Sequence, residues 1–570
     1  MIRIRRSWRT GVAVFSASVL LAGCTALPSD TEPQALRPFE PAGEEQTDLG
    51  PQPGREPDLL LRDFYTASAD PAQDYQAARS YLTPEAAEEW NPSETTLVVD
   101  RVDLATQPGS TNERRSFNVR GAVIGRLGTG GAYEPENGVY EATIELEQQD
   151  GEWRIASLPD GVVFERTELR NRFQPQNVYF FDSAGQVLVG DRRWVYSGQR
   201  SLDTALITLM MEGPSRVMAP AVEQSLPPEA AFAGVTDGAY QFTGFSGMSR
   251  EDRLRFTAQL VWTLAMANTP GPYSVMADGA PVIDGQEELT TDDFADFNPR
   301  IGSSMVAPLF ALTDEGVYRV ASNTANPVSG PLGSMENLES VDITAERTSA
   351  AVRRDGDESV LLLGGLSGEV TESLRSRTIT RPTFEYDSNA LWVTLADNTV
   401  VRTVKSSATG EFASSEVNTT ALEDIGGDIS VLRLSHSGAR VAMIIEGRVY
   451  TGVVEREGPG ERSIVNVQEF APQLGGTALS LDWQPDGSIL VGTSSPETPI
   501  WRVESDGSAV SSLPSGNVTA PVVTVAASSS TIYLTDALSA LQMPVNGADT
   551  SFWREVPGLQ GVRAAPIVAN

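Results

Sequence analysis

From Phe310 onward the chain echoes itself. Leu391, Val441, Ile489 and Ile532 follow one another at intervals of 50, 48 and 43 residues. The first three each open an apolar strand just after a turn: "FEYDSNALWV" turns at Asp387-Ser388-Asn389, "LSHSGARVAM" at Ser437-Gly438 and "LDWQPDGSIL" at Asp486-Gly487. The next strands also resemble one another, as in Val317-Tyr318-Arg319-Val320, Val449-Tyr450-Thr451-Gly452-Val453 and Ile500-Trp501-Arg502-Val503. A period of roughly 40–50 residues of short strands marks a β-propeller, whose blades bury their faces only against neighbouring blades. The spacing predicts an all-β propeller of about six blades over residues 303–570, with a large β-sandwich as the alternative.

At roughly 150 residues per domain, 570 residues hold three or four domains, so the chain is multidomain. Residues 58–165 read as α+β. Leu60, Phe64 and Ala67 form a helical stripe, and Tyr75, Ala78 and Leu82 continue it. Thr83-Pro84 supplies an N-cap and a first-turn proline. After "NPSET" the apolar period falls to two, as in "RSFNVRGAVIGRL", which is the pattern of antiparallel strands. Helices followed by a sheet resemble the NTF2-like cone fold.

Residues 166–290 form a second α+β unit. A hairpin runs through "VYFFDSAGQVLVGDRRWV". One helix carries Leu202, Ala205, Leu206, Leu209 and Met210 on one face. A second starts at Ser249 and presents Leu254, Ala258, Val261, Trp262 and Ala265. This segment resembles the GerMN domain, a family associated with binding and assembly rather than with a known reaction. Residues 291–302, "TDDFADFNPRIG", read as an acidic linker.

The N-terminus has the form of an export signal. Arg3, Arg5, Arg6 and Arg9 precede the uncharged, mostly apolar run Gly11–Gly23. That run is shorter than the roughly 20 apolar residues of a membrane span. Leu21-Ala22-Gly23-Cys24 matches the bacterial lipobox, and Cys24 is the only cysteine. The motif implies removal of residues 1–23 as a signal peptide. It also implies an S-diacylglycerol and an N-acyl chain on Cys24, which anchor the protein to the extracytoplasmic face of the cell membrane. Residues 24–57, rich in Pro, Glu and Gly, read as a disordered acidic tether. A single cysteine leaves no intramolecular disulfide.

A net charge of −34 repels nucleic acid, so no nucleic-acid partner is expected. One histidine, His436, excludes a multi-histidine metal site and would have to serve any Ser-His-Asp triad. The repeat sets it opposite Gln484 at a propeller turn, the place of a structural residue. Asp292, Asp293 and Asp296 lack the alternating spacing of a calcium loop. "GTGGAY" (Gly128 to Tyr133) lacks the third glycine of a dinucleotide loop and lies between strands. "GFSG" and "GLSG" do not fit a G-x-S-x-G elbow. No catalytic residue, cofactor ligand or metal ligand is assigned, and the chain is expected not to be an enzyme. A glycosidase-type carboxylate pair stays open, because 76 acidic residues offer no way to choose one.

The order of parts is more specific than any one of them. A lipobox, a tether, the segment "LLRDFYTASADPAQDYQAARSYLTPEAAEEW", a GerMN-like unit and a propeller together resemble the LpqB family of actinobacterial lipoproteins. The resemblance implies an accessory to the MtrA–MtrB two-component system. Such a protein contacts the extracellular sensor region of the histidine kinase MtrB and modulates signalling for envelope homeostasis and division. The alternative is a carrier or binding protein for cell-wall glycan or lipid, or a propeller enzyme. An enzyme predicts an acid cluster at a propeller mouth, and a carrier predicts a deep apolar pocket. A scaffold predicts an exposed apolar patch.

Overall fold

The structure, a computed structural model, describes residues 49–570 apart from 110, 301–306, 387–388, 407–408, 459, 547–550 and 570. The lipobox Leu21-Ala22-Gly23, Cys24, and the tether as far as residue 48 lie outside the described residues. The end of the expected tether packs on the first domain. Gly54 N–H donates to Glu152 Oε2 at 2.8 Å, and Arg55 pairs with Asp63 at 2.7 Å.

Helix α1 (Pro57–Ala67) buries the expected Leu60, Phe64 and Ala67, joined by Leu61 and Tyr65. In α2 (Ala72–Arg79) only Ala78 is buried, because Gln73, Asp74 and Tyr75 turn left-handed and break the stripe. Helix α3 (Pro84–Glu89) starts at Thr83, whose Oγ1 accepts the Ala86 N–H at 3.2 Å. The sheet comprises β1 (Thr96–Val99), β2 (Asp103–Thr106), β3 (Arg114–Leu127), β4 (Tyr133–Gln149), β5 (Glu152–Ser157) and β6 (Val162–Glu165). Its order is β5-β4-β3-β1-β6, with β2 on β3 and only β1/β6 parallel. Alternate residues Phe117, Val119, Ile144 and Leu146 are buried, as period two requires.

A short helix α4 (Arg166–Arg172) leads into β7 (Phe173–Asp182) and β8 (Leu188–Tyr196), the expected hairpin. Asp182 fixes its turn: Oδ1 accepts the N–H groups of Gln186 and Val187. Helix α5 (Leu202–Glu212) follows. Then come β9 (Val222–Glu223), β10 (Ala231–Thr236), β11 (Ala239–Thr243), helix α6 (Arg250–Met266), β12 (Ser274–Ala277) and β13 (Ala280–Pro281). Ser249 caps α6 by accepting the Asp252 N–H at 3.1 Å. Of its expected apolar surface, Ala258, Val261 and Trp262 are buried, but Leu254 is 37% exposed, one turn too near the solvent-facing start.

The segment expected as a free linker is anchored in its first half. Phe294 is buried in the core of this domain, and Trp262 Nε1 donates to its carbonyl at 2.9 Å. Phe297 meets Phe181 edge-on with 5.1 Å between centroids. The acids of this stretch face solvent while its two aromatics do not, so a reading by charge alone missed the docking.

The C-terminal region is a propeller of six four-stranded antiparallel sheets. The first blade is closed by the two ends of the domain: Ala565–Val568 pairs with Leu309–Thr313, Leu309 opposite Val568. The periodic residues hold one structural position. Leu391, Val441, Ile489 and Ile532 pair with Phe384, Leu434, Trp483 and Ala527 at the end of each blade's first strand. Gly438 and Gly487 adopt φ of 70° and 86° in the intervening turns, a region glycine enters without strain.

Candidate functional site

Residues 50–570 make one compact unit, because the three domains meet at a shared junction. The β7–β8 hairpin lies on the loops of the fourth and fifth blades. Arg440 Nη2 donates to the Gly190 carbonyl at 2.9 Å. Arg192 pairs with both Glu504 and Asp506 at 3.2 Å, and Trp194 Nε1 donates to Asp506 Oδ2 at 3.0 Å. Arg456 pairs with Asp182 at 3.1 Å, and Asn466 Nδ2 donates to the Val217 carbonyl at 2.9 Å. Ala439 and Val453 of the propeller are buried in the apolar core of the second domain.

The first domain enters through the tip between β3 and β4. Ala132 bridges to Arg193, and Gly130 O accepts from Arg193 Nη1 at 3.3 Å. Gly131 has φ 74°, and a Cβ there would lie 2.1 Å from the Trp194 carbonyl oxygen. The run "GTGGAY" is therefore glycine-rich for close backbone approach between domains. Behind it, the buried Asp191 accepts from Arg193 and from both the N–H and the hydroxyl of Ser215. Burial works to raise the Glu134 carboxyl, but hydrogen bonds from Arg126 and Arg216 outweigh it and hold the group below its usual range. Burial, then the hydrogen bond and charge of Asp70, push the Tyr196 hydroxyl up to about 12.

The propeller axis is spanned by its own charges. Asp342, Thr383, Arg433 and Asp482 occupy equivalent positions on the inner strands of blades two to five. Arg433 Nη1 donates to the Pro382 carbonyl at 2.6 Å, while Nη2 and Nε reach Asp342 (3.3 Å) and Asp482 (3.2 Å). Arg381 pairs with Asp342 at 3.0 Å. Burial opposes the charge on Arg433, but the two aspartates more than compensate and raise its pKa. Burial and the nearby Arg433 lower that of Arg381. Two cations and two anions leave these acids neutralised. Among the described residues, no group of three or more His, Cys, Asp or Glu side chains is placed to hold a metal ion.

His436 sits exposed beside the junction, its ring edge-on to Tyr386 with 5.6 Å between centroids. The strand registers align Ser435, not His436, with Gln484, so the sequence alignment of these turns was one residue out. His436 forms one lip of a cleft of about 110 Å³ between the hairpin, the docked strap 296–299 and the propeller. Sequence reasoning missed Arg192, Arg440 and Asp506. The available signal was β8 itself, where three consecutive charged residues, Asp191, Arg192 and Arg193, interrupt an otherwise apolar strand.

Three family descriptions match in the same order as the domains. Residues 50–170 match the lipoprotein LpqB N-terminal domain, 177–283 match "sporulation and spore germination", and 315–569 match the lipoprotein LpqB β-propeller domain. Lipoprotein LpqB of Corynebacterium diphtheriae is 44% identical over 571 residues, covering 98% of each chain. The chain belongs to the LpqB lipoprotein family. LpqB proteins of Rhodococcus jostii (36% identical, 98% of this chain and 97% of the relative) and Nocardia farcinica (32%, 99% of each) extend the kinship. Among solved structures, TolB from Acinetobacter baumannii overlays 46% of this chain and 66% of its own, with a TM-score of 0.34 at 13% identity. As an LpqB-family lipoprotein the chain is membrane-associated. Among the described residues no helix is long and apolar enough to cross a bilayer.

Proposed function

We propose that this protein is a non-enzymatic accessory, held on the extracytoplasmic face of the cell membrane by lipid on Cys24. In this reading it binds the extracellular sensor region of the histidine kinase MtrB and modulates MtrAB signalling for envelope homeostasis and division. Whole-length kinship with LpqB lipoproteins is the observation that carries the reading. Two features of the fold favour a scaffold. The axis of the propeller is occupied by the Arg433 ion pairs, and the three domains are pinned into one body able to present a fixed surface. Tethering raises the local concentration beside a membrane-bound kinase, and binding shifts its signalling only by preferring one of its states.

The test is calorimetric titration of the MtrB extracellular region with residues 25–570. Saturable heat supports the reading, and no heat with the fold verified removes the soluble contact. A secreted Cys24→Ala form that signals normally at native abundance would sink the anchoring argument.

A further inference from the structure

The cleft beside His436 has the chemistry of a saccharide site. Four rings converge there from three parts of the chain: Tyr179 from β7, Phe297 from the docked strap, and Tyr386 and Trp483 from the propeller. Four amides share the lining, Asn177 and Gln186 from the hairpin, Asn298 from the strap and Gln484 from the propeller. Phe297 and Tyr386 are the more exposed of these rings, while Tyr179 and Trp483 are nearly buried. Aromatic edges and faces beside neutral donors and acceptors suit a pyranose ring, which has an apolar C–H face and a rim of hydroxyls.

Charge narrows the ligand class. The cleft's cation, Arg440, is held by the Gly190 carbonyl, and Asp486 on the rim is paired with Arg502 at 2.7 Å. A chain carrying −34 repels anions at long range. The lining also holds the exposed carboxylate of Asp296, which accepts from sugar hydroxyls and disfavours an anionic sugar. Size narrows it further. The cleft measures only about 110 Å³, so it takes no more than a single sugar residue, with the rest of an oligomer outside.

We propose that the cleft between the hairpin and the propeller binds one residue of a neutral saccharide chain. This goes beyond the kinase-accessory reading and does not depend on it. The ligand would bridge two domains across a polar joint, so occupancy would brace the joint.

The test is saturation-transfer NMR on the full chain in a detergent without a sugar headgroup, with the N-acetylglucosamine trimer and, separately, maltotriose as probes. The expected result is transfer to the ring protons of one or both probes. Transfer to the trimer alone identifies the acetamido sugar as the ligand, and transfer to both identifies neutral hexopyranoses generally. Tyr386→Ala should weaken the effect about tenfold, the loss of one ring contact. His436→Ala and Gln186→Arg alter exposed lips and leave the fold intact, so they keep the test valid if Tyr386→Ala unfolds. No transfer to either sugar, or transfer undiminished in both lip variants, overturns the proposal.

Discussion

Arg440 of the fourth blade donates through Nη2 to the carbonyl of Gly190 on β8, across the joint between propeller and hairpin. Burial lowers its pKa, and the charges of Asp191 and Asp506 oppose that effect. A buried guanidinium on a carbonyl is a strong pin, because removing it leaves the carbonyl without its charged donor. Arg440→Ala is expected to cost about 2 kcal/mol. It should also expose the β7–β8 hairpin to protease before the propeller unfolds. An unchanged urea midpoint and cleavage pattern would mean that the other contacts, the Arg192 and Arg456 ion pairs and the apolar seat of Ala439 and Val453, hold the joint without it.

Arg433 at the axis invites a paired experiment. Arg433→Met leaves Asp342 and Asp482 buried with only Arg381 to neutralise them, and breaking such a network costs about 3–5 kcal/mol. The double variant Arg433→Leu with Asp482→Leu leaves Asp342 with Arg381, again neutral. Its urea midpoint should recover most of the loss. A double variant no more stable than the single one would show that Arg433 acts through packing rather than charge.

Gly131 tests the close approach of the first domain. Gly131→Ala places a Cβ 2.1 Å from the Trp194 carbonyl oxygen at φ 74°, so the tip must withdraw. Gly151 has φ 84° with nothing near its would-be Cβ, so Gly151→Ala measures the backbone strain alone, about 1–2 kcal/mol. The expected outcome is a larger drop in Tm for Gly131→Ala than for Gly151→Ala. Equal drops would remove the packing argument.

What the sequence made legible was local or periodic. The repeat located one position in four blades because each blade must solve the same packing problem, and Thr83 and Ser249 were readable because a cap acts within three residues. The junction was not legible. Gly131 meets Trp194, and Trp194 meets Asp506, far along the chain, and no local pattern encodes such pairings. The axial network lay between these extremes. Asp342, Arg433 and Asp482 share one place in the repeat, so a stricter alignment of the blades would have exposed them. The linker failed for another reason: three aspartates drew attention away from Phe294 and Phe297.

Glu134 gives the joint a pH dependence of definite sign. Its carboxylate is shared by Arg126 on β3 and Arg216 beyond α5, at 2.7 Å and 3.0 Å. Burial works against the charge, but these bonds hold the folded pKa below the ordinary 4.5. The unfolded chain therefore binds the proton more readily. The stabilisation is complete above about pH 4.5 and is lost as pH falls through the folded value. Glu134→Gln should lower Tm at pH 6–7, and its difference from the natural chain should shrink toward zero as the pH drops below 4. Salt should shrink the neutral-pH difference as well, since Arg216 is largely exposed. A difference that stays constant from pH 7 to pH 3 would mean that the side chain contributes by shape, with no part played by its ionisation.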